Sequence, residues 1–210
     1  MHNFFAQKRC KRIVHYMSDA HDASWVQLDR EKLHCLAHPM RSRLLAALRT
    51  DGPSTSAKLA RRLGTNTGAS SYHLRELADV GLVHEVEDMG TARERWWAPS
   101  HHMTSFSEAD FADDPDDRAA VDWLMTHHLR ATTRWREEWL AARHTWTEEW
   151  VRASNTSDHL LELTPAQLAS LNADLEAVVE RYRTEDPAEE GDVQQVLVLV
   201  DGFPAREVSL

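Results

Sequence analysis

The stretch Thr67–Val83, TGASSYHLRELADVGLV, constrains this chain more than any other. Ser70, Leu74, Leu77 and Ala78 recur at helical spacing on one side, with Gly68, Ser71, Tyr72 and Arg75 on the other. Gly81 suits a left-handed position just past a helix end, after which LVHEV takes on strand character. The pattern predicts a helix over Thr67–Val80 with one buried stripe and an outer face of small, hydroxyl, aromatic and cationic groups. Such a face fits a DNA major groove. Small residues permit close approach, hydroxyls reach phosphates or base edges, and an arginine donates two hydrogen bonds. A core helix with a solvated outer face carries the same pattern, so the flanking segments must decide.

Upstream, TSAKLARRLG (Thr55–Gly64) predicts a compact helix with Leu59, Ala60 and Leu63 inward and Thr55 or Ser56 as its cap. Only TNT separates the two helices, a helix-turn-helix spacing. Before them, LAHPMRSRLLAALRTDGP offers Leu44, Leu45 and Leu48 as the packing face, opened by Pro39 and closed by Asp51-Gly52-Pro53. Asp29–His38 supplies a further helical turn or two, with an Asp cap and a stripe of Leu33, Leu36 and Ala37. Downstream, LVHEVEDMGTARERWWAP reads as two strands around a Met89-Gly90 turn. Arg93 and Arg95 fall on one side of the returning strand, and Trp96 and Trp97 close the hairpin onto the domain. Helices and a basic hairpin in this order make a winged helix-turn-helix.

In combination, the HPMRSRLL opening, SYHLREL…GLV and GTARERWW resemble the ArsR-type winged-helix transcriptional regulators, closest to an actinobacterial branch with a long C-terminal extension. The resemblance covers roughly Asp29–Ser100. It implies a sequence-specific DNA-binding regulator, a cytoplasmic repressor acting as a homodimer on double-stranded DNA, and not an enzyme. We assign Thr67, Gly68, Ser71, Tyr72 and Arg75 to the groove, and Thr55, Ser56, Arg93 and Arg95 to phosphates. His73 lies toward the flank and is expected to pack or to bond the backbone. The second helix has no cysteine pair, so the metal sensing of the founding members is not implied. His34 and His38 stand four apart without a third ligand of matching spacing, and no metal or cofactor is expected.

The formal charge of −10 suits a DNA binder only when it is divided. Residues 30–98 hold 11 basic and 8 acidic side chains; residues 99–210 hold 9 basic and 23 acidic ones. Acid in the C-terminal half would keep that half off the duplex. Cys10 and Cys35 lack metal spacing and fit a reducing cytosol without disulfides. No apolar run approaches the roughly 18 residues of a membrane span. Residues 1–28 form an N-terminal arm, with four basic residues and no acid up to Tyr16. It is either a minor-groove arm or sequence upstream of a true start at Met17, and the second reading is preferred.

Beyond a polar connector at His101–Ala112, a helical pattern runs over 114–153. Within it WREEWL at Trp135 returns as WTEEWV at Trp146, 11 residues later. On one continuous helix, Trp135, Trp139, Trp146 and Trp150 would share a stripe about 60° wide. Something must cover that stripe: the rest of the chain, a second subunit, or a small apolar or aromatic effector. Residues 158–205 then read as strand, helix (Pro165–Arg183) and strand, with VLVLV covered on both faces. The expected fold class is mainly α with small β elements: a winged helix-turn-helix over 29–100, a long helix and a strand-helix-strand unit. Two other function classes stay open: a winged helix turned protein-interaction module, and a regulator gated by an effector in the Trp-rich half.

Overall fold

A computed structural model describes residues 25–89, 94–184 and 192–205. The chain divides into two compact units, residues 1–130 and 131–210. The first unit holds β1 (Trp25–Gln27), α1 (Arg30–Leu36), α2 (Pro39–Asp51), β2 (Ser54–Thr55), α3 (Ser56–Leu63), α4 (Thr67–Asp79), β3 (Val83–Glu85), β4 (Trp96–Pro99) and β5 (Met103–Ser105). It is a winged helix-turn-helix.

Each helix starts on a side chain that takes up an orphan backbone N–H. Asp29 accepts from the Lys32 N–H at 2.9 Å, and Asn66 from Ala69 at 2.8 Å. The turn between α3 and α4 is made by Gly64, left-handed at φ 68°, with the Thr65 N–H donating to the Ala60 carbonyl at 2.9 Å. Gly81, at φ 74°, ends α4 and lets the Leu82 N–H reach back to the Leu77 carbonyl at 2.9 Å. The buried leucines meet at the centre: Leu33 of α1, Leu44 and Leu48 of α2, Leu59 of α3, and Leu74 and Leu77 of α4. Burying each contributes about 1.5–3 kcal/mol, which clamps the face of α4 opposite Arg75 to the domain.

The wing is a three-stranded antiparallel sheet in the order β2-β4-β3. Thr55 is opposite Trp96 and Glu85 opposite Trp97, so the base of the wing is stitched to the start of α3. The returning strand begins at Trp96, later than expected. Arg95 immediately precedes it, and Arg93 and Gly90 lie outside the described residues. Two further expectations are corrected. The domain starts before Asp29: β1 pairs in parallel with β5, Trp25 beside Met103, and Leu28 is buried. The connector at 101–112 is not simply polar, because it supplies β5 and a 3-10 turn, Glu108–Phe111, that buries Phe111. In both places the apolar residues are spaced too sparsely to announce a core contribution.

The expected helix over 114–153 is two helices. α5 (Pro115–Ala142) gives way to a 3-10 turn, Arg143–Thr145, and α6 spans Glu148–Ala153. Two threonines account for the break. The Thr145 hydroxyl donates to the Ala142 carbonyl at 2.7 Å, and Thr147 takes extended backbone and caps α6. In the first unit, the start of α5 is held to α1 by the buried Asp117, which accepts from Arg30 Nε at 2.8 Å and meets His34 Nε2 at 2.6 Å.

In the second unit, α7 (Pro165–Thr184) forms as expected, but the strands flanking it do not. Residues 158–163 and 192–205 carry no strand pairing. A strand needs an edge to pair with, and no other strand lies in this unit among the described residues. Gly202 instead sits against Asn172 and Leu168 of α7, and Arg136 pairs with Asp201 at 3.6 Å. VLVLV, expected to be covered on both faces, is exposed at Val196, Leu197 and Val198.

Candidate nucleic-acid interface

One cleft gathers most of the assigned side chains. It is lined by Thr55, Ser56 and Ala57 at the start of α3, by Thr67, Ser71 and Arg75 of α4, and by Glu94, Arg95 and Trp97 of the wing. Thr67, Ser71 and Arg75 stand four apart, so they form one row along α4. Gly68 and Tyr72 form the adjacent row, and Tyr72 is 54% exposed. Arg75 is exposed and makes no ion pair among the described residues. Its guanidinium is therefore available to an external acceptor.

The wing contributes Arg95, whose Nη1 lies 3.5 Å from Glu85 Oε2, both side chains being well exposed. A solvated pair of this kind is worth little and yields readily to a phosphate. Glu94 brings a negative charge to the same cleft and opposes phosphate there. Thr55 is corrected. It is 1% exposed, and its hydroxyl accepts from the Lys58 N–H at 3.4 Å, so it builds the end of α3 and leaves Ser56 as the surface hydroxyl.

Residues outside the assignment also belong here. The Lys58 ammonium stands 3.9 Å from the centre of the Trp96 ring, a cation–π contact that ties the first turn of α3 to the wing. A lysine in the first turn of a helix was the available signal. Trp97 lines the cleft with its Nε1 enclosed and unpartnered among the described residues. His73 packs, as expected: its ring lies 4.5 Å from His38 and 5.1 Å from Tyr72. Burial holds His73 below the usual histidine range, with His38 and Arg41 adding to the effect.

The four tryptophans do not share one continuous helical face, because the break at 143–147 separates them. Three still gather: Trp139 and Trp146 have ring centroids 6.5 Å apart, and Trp146 and Trp150 6.2 Å. Trp150 Nε1 donates to Asp192 at 2.9 Å. Trp135 is half-buried, one turn before Trp139. Among the described residues, no group of three or more His, Cys, Asp or Glu is placed to hold a metal ion, and no helix is long and apolar enough to cross a membrane.

A helix-turn-helix with a wing, and an open polar cleft between α4 and the wing, define the winged helix-turn-helix class of fold. Residues 36–86 match a family described as "Helix-turn-helix domain". No curated protein matches the chain. Among solved structures, a possible transcriptional regulator for arsenical resistance is 26% identical, covering 57% of this chain and all of that one, with a TM-score of 0.30. An adhesin competence repressor from Streptococcus pyogenes is 13% identical over 86% of this chain and 97% of its own, with a TM-score of 0.27. A Thermotoga maritima transcriptional regulator is 11% identical over 71% and 81%, with a TM-score of 0.29. Likenesses at these scores do not carry the fold, which rests on the packing of α1–α4 with the wing and on the helix-turn-helix match.

Proposed function

We propose that this chain is a sequence-specific DNA-binding transcriptional regulator of the ArsR-like type, a repressor working as a homodimer in the cytoplasm. One observation carries the reading: Ser56, Thr67, Ser71, Arg75 and Arg95, drawn from three separate elements, converge on one open cleft. α4 enters the major groove, with Thr67, Gly68, Ser71, Tyr72 and Arg75 toward base edges. Ser56, Arg95, Lys58 and Arg93 take phosphates on either side. A gel-shift titration on the DNA upstream of the chain's own gene, against random competitor, tests it. Selective retention supports a regulator; equal retention of every duplex, or none, supports the protein-interaction alternative.

The division of labour follows the charge. Residues 25–105 serve DNA, and the acidic segments 114–153 and 158–205 serve assembly. The apolar faces of the second unit support a dimer: Leu175, Val178 and Tyr182 of α7 are exposed along one side. A second subunit covering them, together with Trp135, Trp139, Trp146 and Trp150, would bury what one chain leaves in water. The gathered rings of Trp139, Trp146 and Trp150 favour, as a second reading, an apolar or aromatic effector at the same place.

A further inference from the structure

His38 and His73 join two elements that matter to the cleft without lining it. The Met40 N–H donates to His38 Nδ1 at 3.1 Å, so that nitrogen carries no proton and the neutral ring caps α2. The same ring meets His73, on α4, at 4.5 Å with the planes tilted by 38°. His73 in turn holds the edge of Tyr72, an exposed member of the groove face. Its own Nδ1 is enclosed, with no partner among the described residues.

An imidazolium has a proton on each nitrogen. At His38 it could not accept from Met40, and it would put a positive charge on the N-terminus of α2, where the helix dipole opposes it. At His73 it would enclose an Nδ1–H without an acceptor in a charged ring. The surrounding charges do not offset this. From α2 the neighbour is Arg41, which repels both rings. From α4 come the Tyr72 phenol and Glu76, and Glu76 is already 3.5 Å from Arg41 Nη1. From α1 comes the Cys35 thiol, which donates to the Glu76 carbonyl at 3.6 Å. Burial and Arg41 hold His38 below the usual range, in the same direction as His73.

We propose that the His38–His73 contact is a proton-operated latch on the recognition helix: the neutral pair seats α4 against α2, and protonation of either ring opens it and lowers selectivity for DNA. The second half of this inference rests on the DNA-binding reading of α4.

The test uses the full chain with His38→Asn, His73→Gln and the double variant. Asparagine is a strong helix cap that keeps the acceptor and does not titrate. Two quantities are read between about pH 7.5 and pH 5.5, a range that spans the free histidine value. They are the amide-exchange protection factors of Thr67–Asp79, and the ratio of affinities for the upstream DNA and a random duplex. The wild type is expected to lose about tenfold in each, and the double variant to stay flat. A wild type whose α4 protection stays flat while the fold persists overturns the latch, as do variants that follow the wild-type curve. If His73→Gln does not fold, His38→Asn alone decides: with only His73 left to titrate, its loss is expected to fall short of the wild type's, and a full wild-type curve overturns the latch. If no duplex is selected at any pH, the DNA-binding reading fails, and the exchange data still decide the latch.

Discussion

Arg75 is where the account can be tested with one side chain. It is exposed and stands in a row with Thr67 and Ser71. Arg75→Ala is expected to cost about 1–3 kcal/mol in specific binding and to leave thermal unfolding unchanged; equal affinity and base preference would remove it from recognition. Arg95 behaves differently because it faces phosphate. Arg95→Ala should weaken all sequences alike and reduce the salt slope by about one, and by about two with Arg93→Ala as well. A loss confined to one base position would contradict the phosphate assignment. Four histidines, His38, His73, His84 and His101, are all held low, with burial the first cause in each. Their neutral forms belong to the folded state, so their contribution is fully present above the unfolded value of about 6.5 and is lost as pH falls below it. Denaturant titrations should therefore show stability declining from about pH 7 toward pH 5; an increase would contradict the sign.

At the scale of elements, α4 is made by its cap and its stripe. Asn66→Ala should cost about 0.5–2 kcal/mol by calorimetry, and Leu74→Ala, at a fully buried position, about 2–5 kcal/mol. Comparable small losses from both would mean that α4 is not seated as described. This helix was legible in the sequence because propensity, periodicity and its terminal glycine agree. The capping helix α3 and the leucines of α2 were legible for the same reason. What was hidden depends on long-range pairing. β1 and β5 are three-residue strands joined across most of the first unit, and neither alternates strongly enough to announce a strand. The break after Ala142 was hidden because two threonines carry it, without Gly or Pro. In the cleft, Ser56, Thr67, Ser71, Arg75 and Arg95 were readable as chemistry at helical spacing or beside a turn. The burial of Thr55 was not, because a capping hydroxyl and a phosphate-binding one look alike until the strand opposite is known.

For the whole molecule, the contrast lies between the two units. The buried core belongs almost wholly to the first; the second leaves Leu160, Leu161, Leu175, Val178 and Tyr182 in water among its described residues. Trp139→Ala with Trp150→Ala should convert a dimer to monomers in sedimentation and abolish tight operator binding. A variant that stays dimeric would put the subunit interface elsewhere and leave the rings to an effector. The central claim, that α4 lies in the major groove, is met most directly by guanine-N7 methylation interference on the selected upstream DNA. Methylated guanines in two half-sites, about one helical turn or a small multiple of it apart, should block wild-type binding. Arg75→Ala should lose sensitivity at one guanine per half-site. Binding that ignores N7 methylation throughout would contradict the claim.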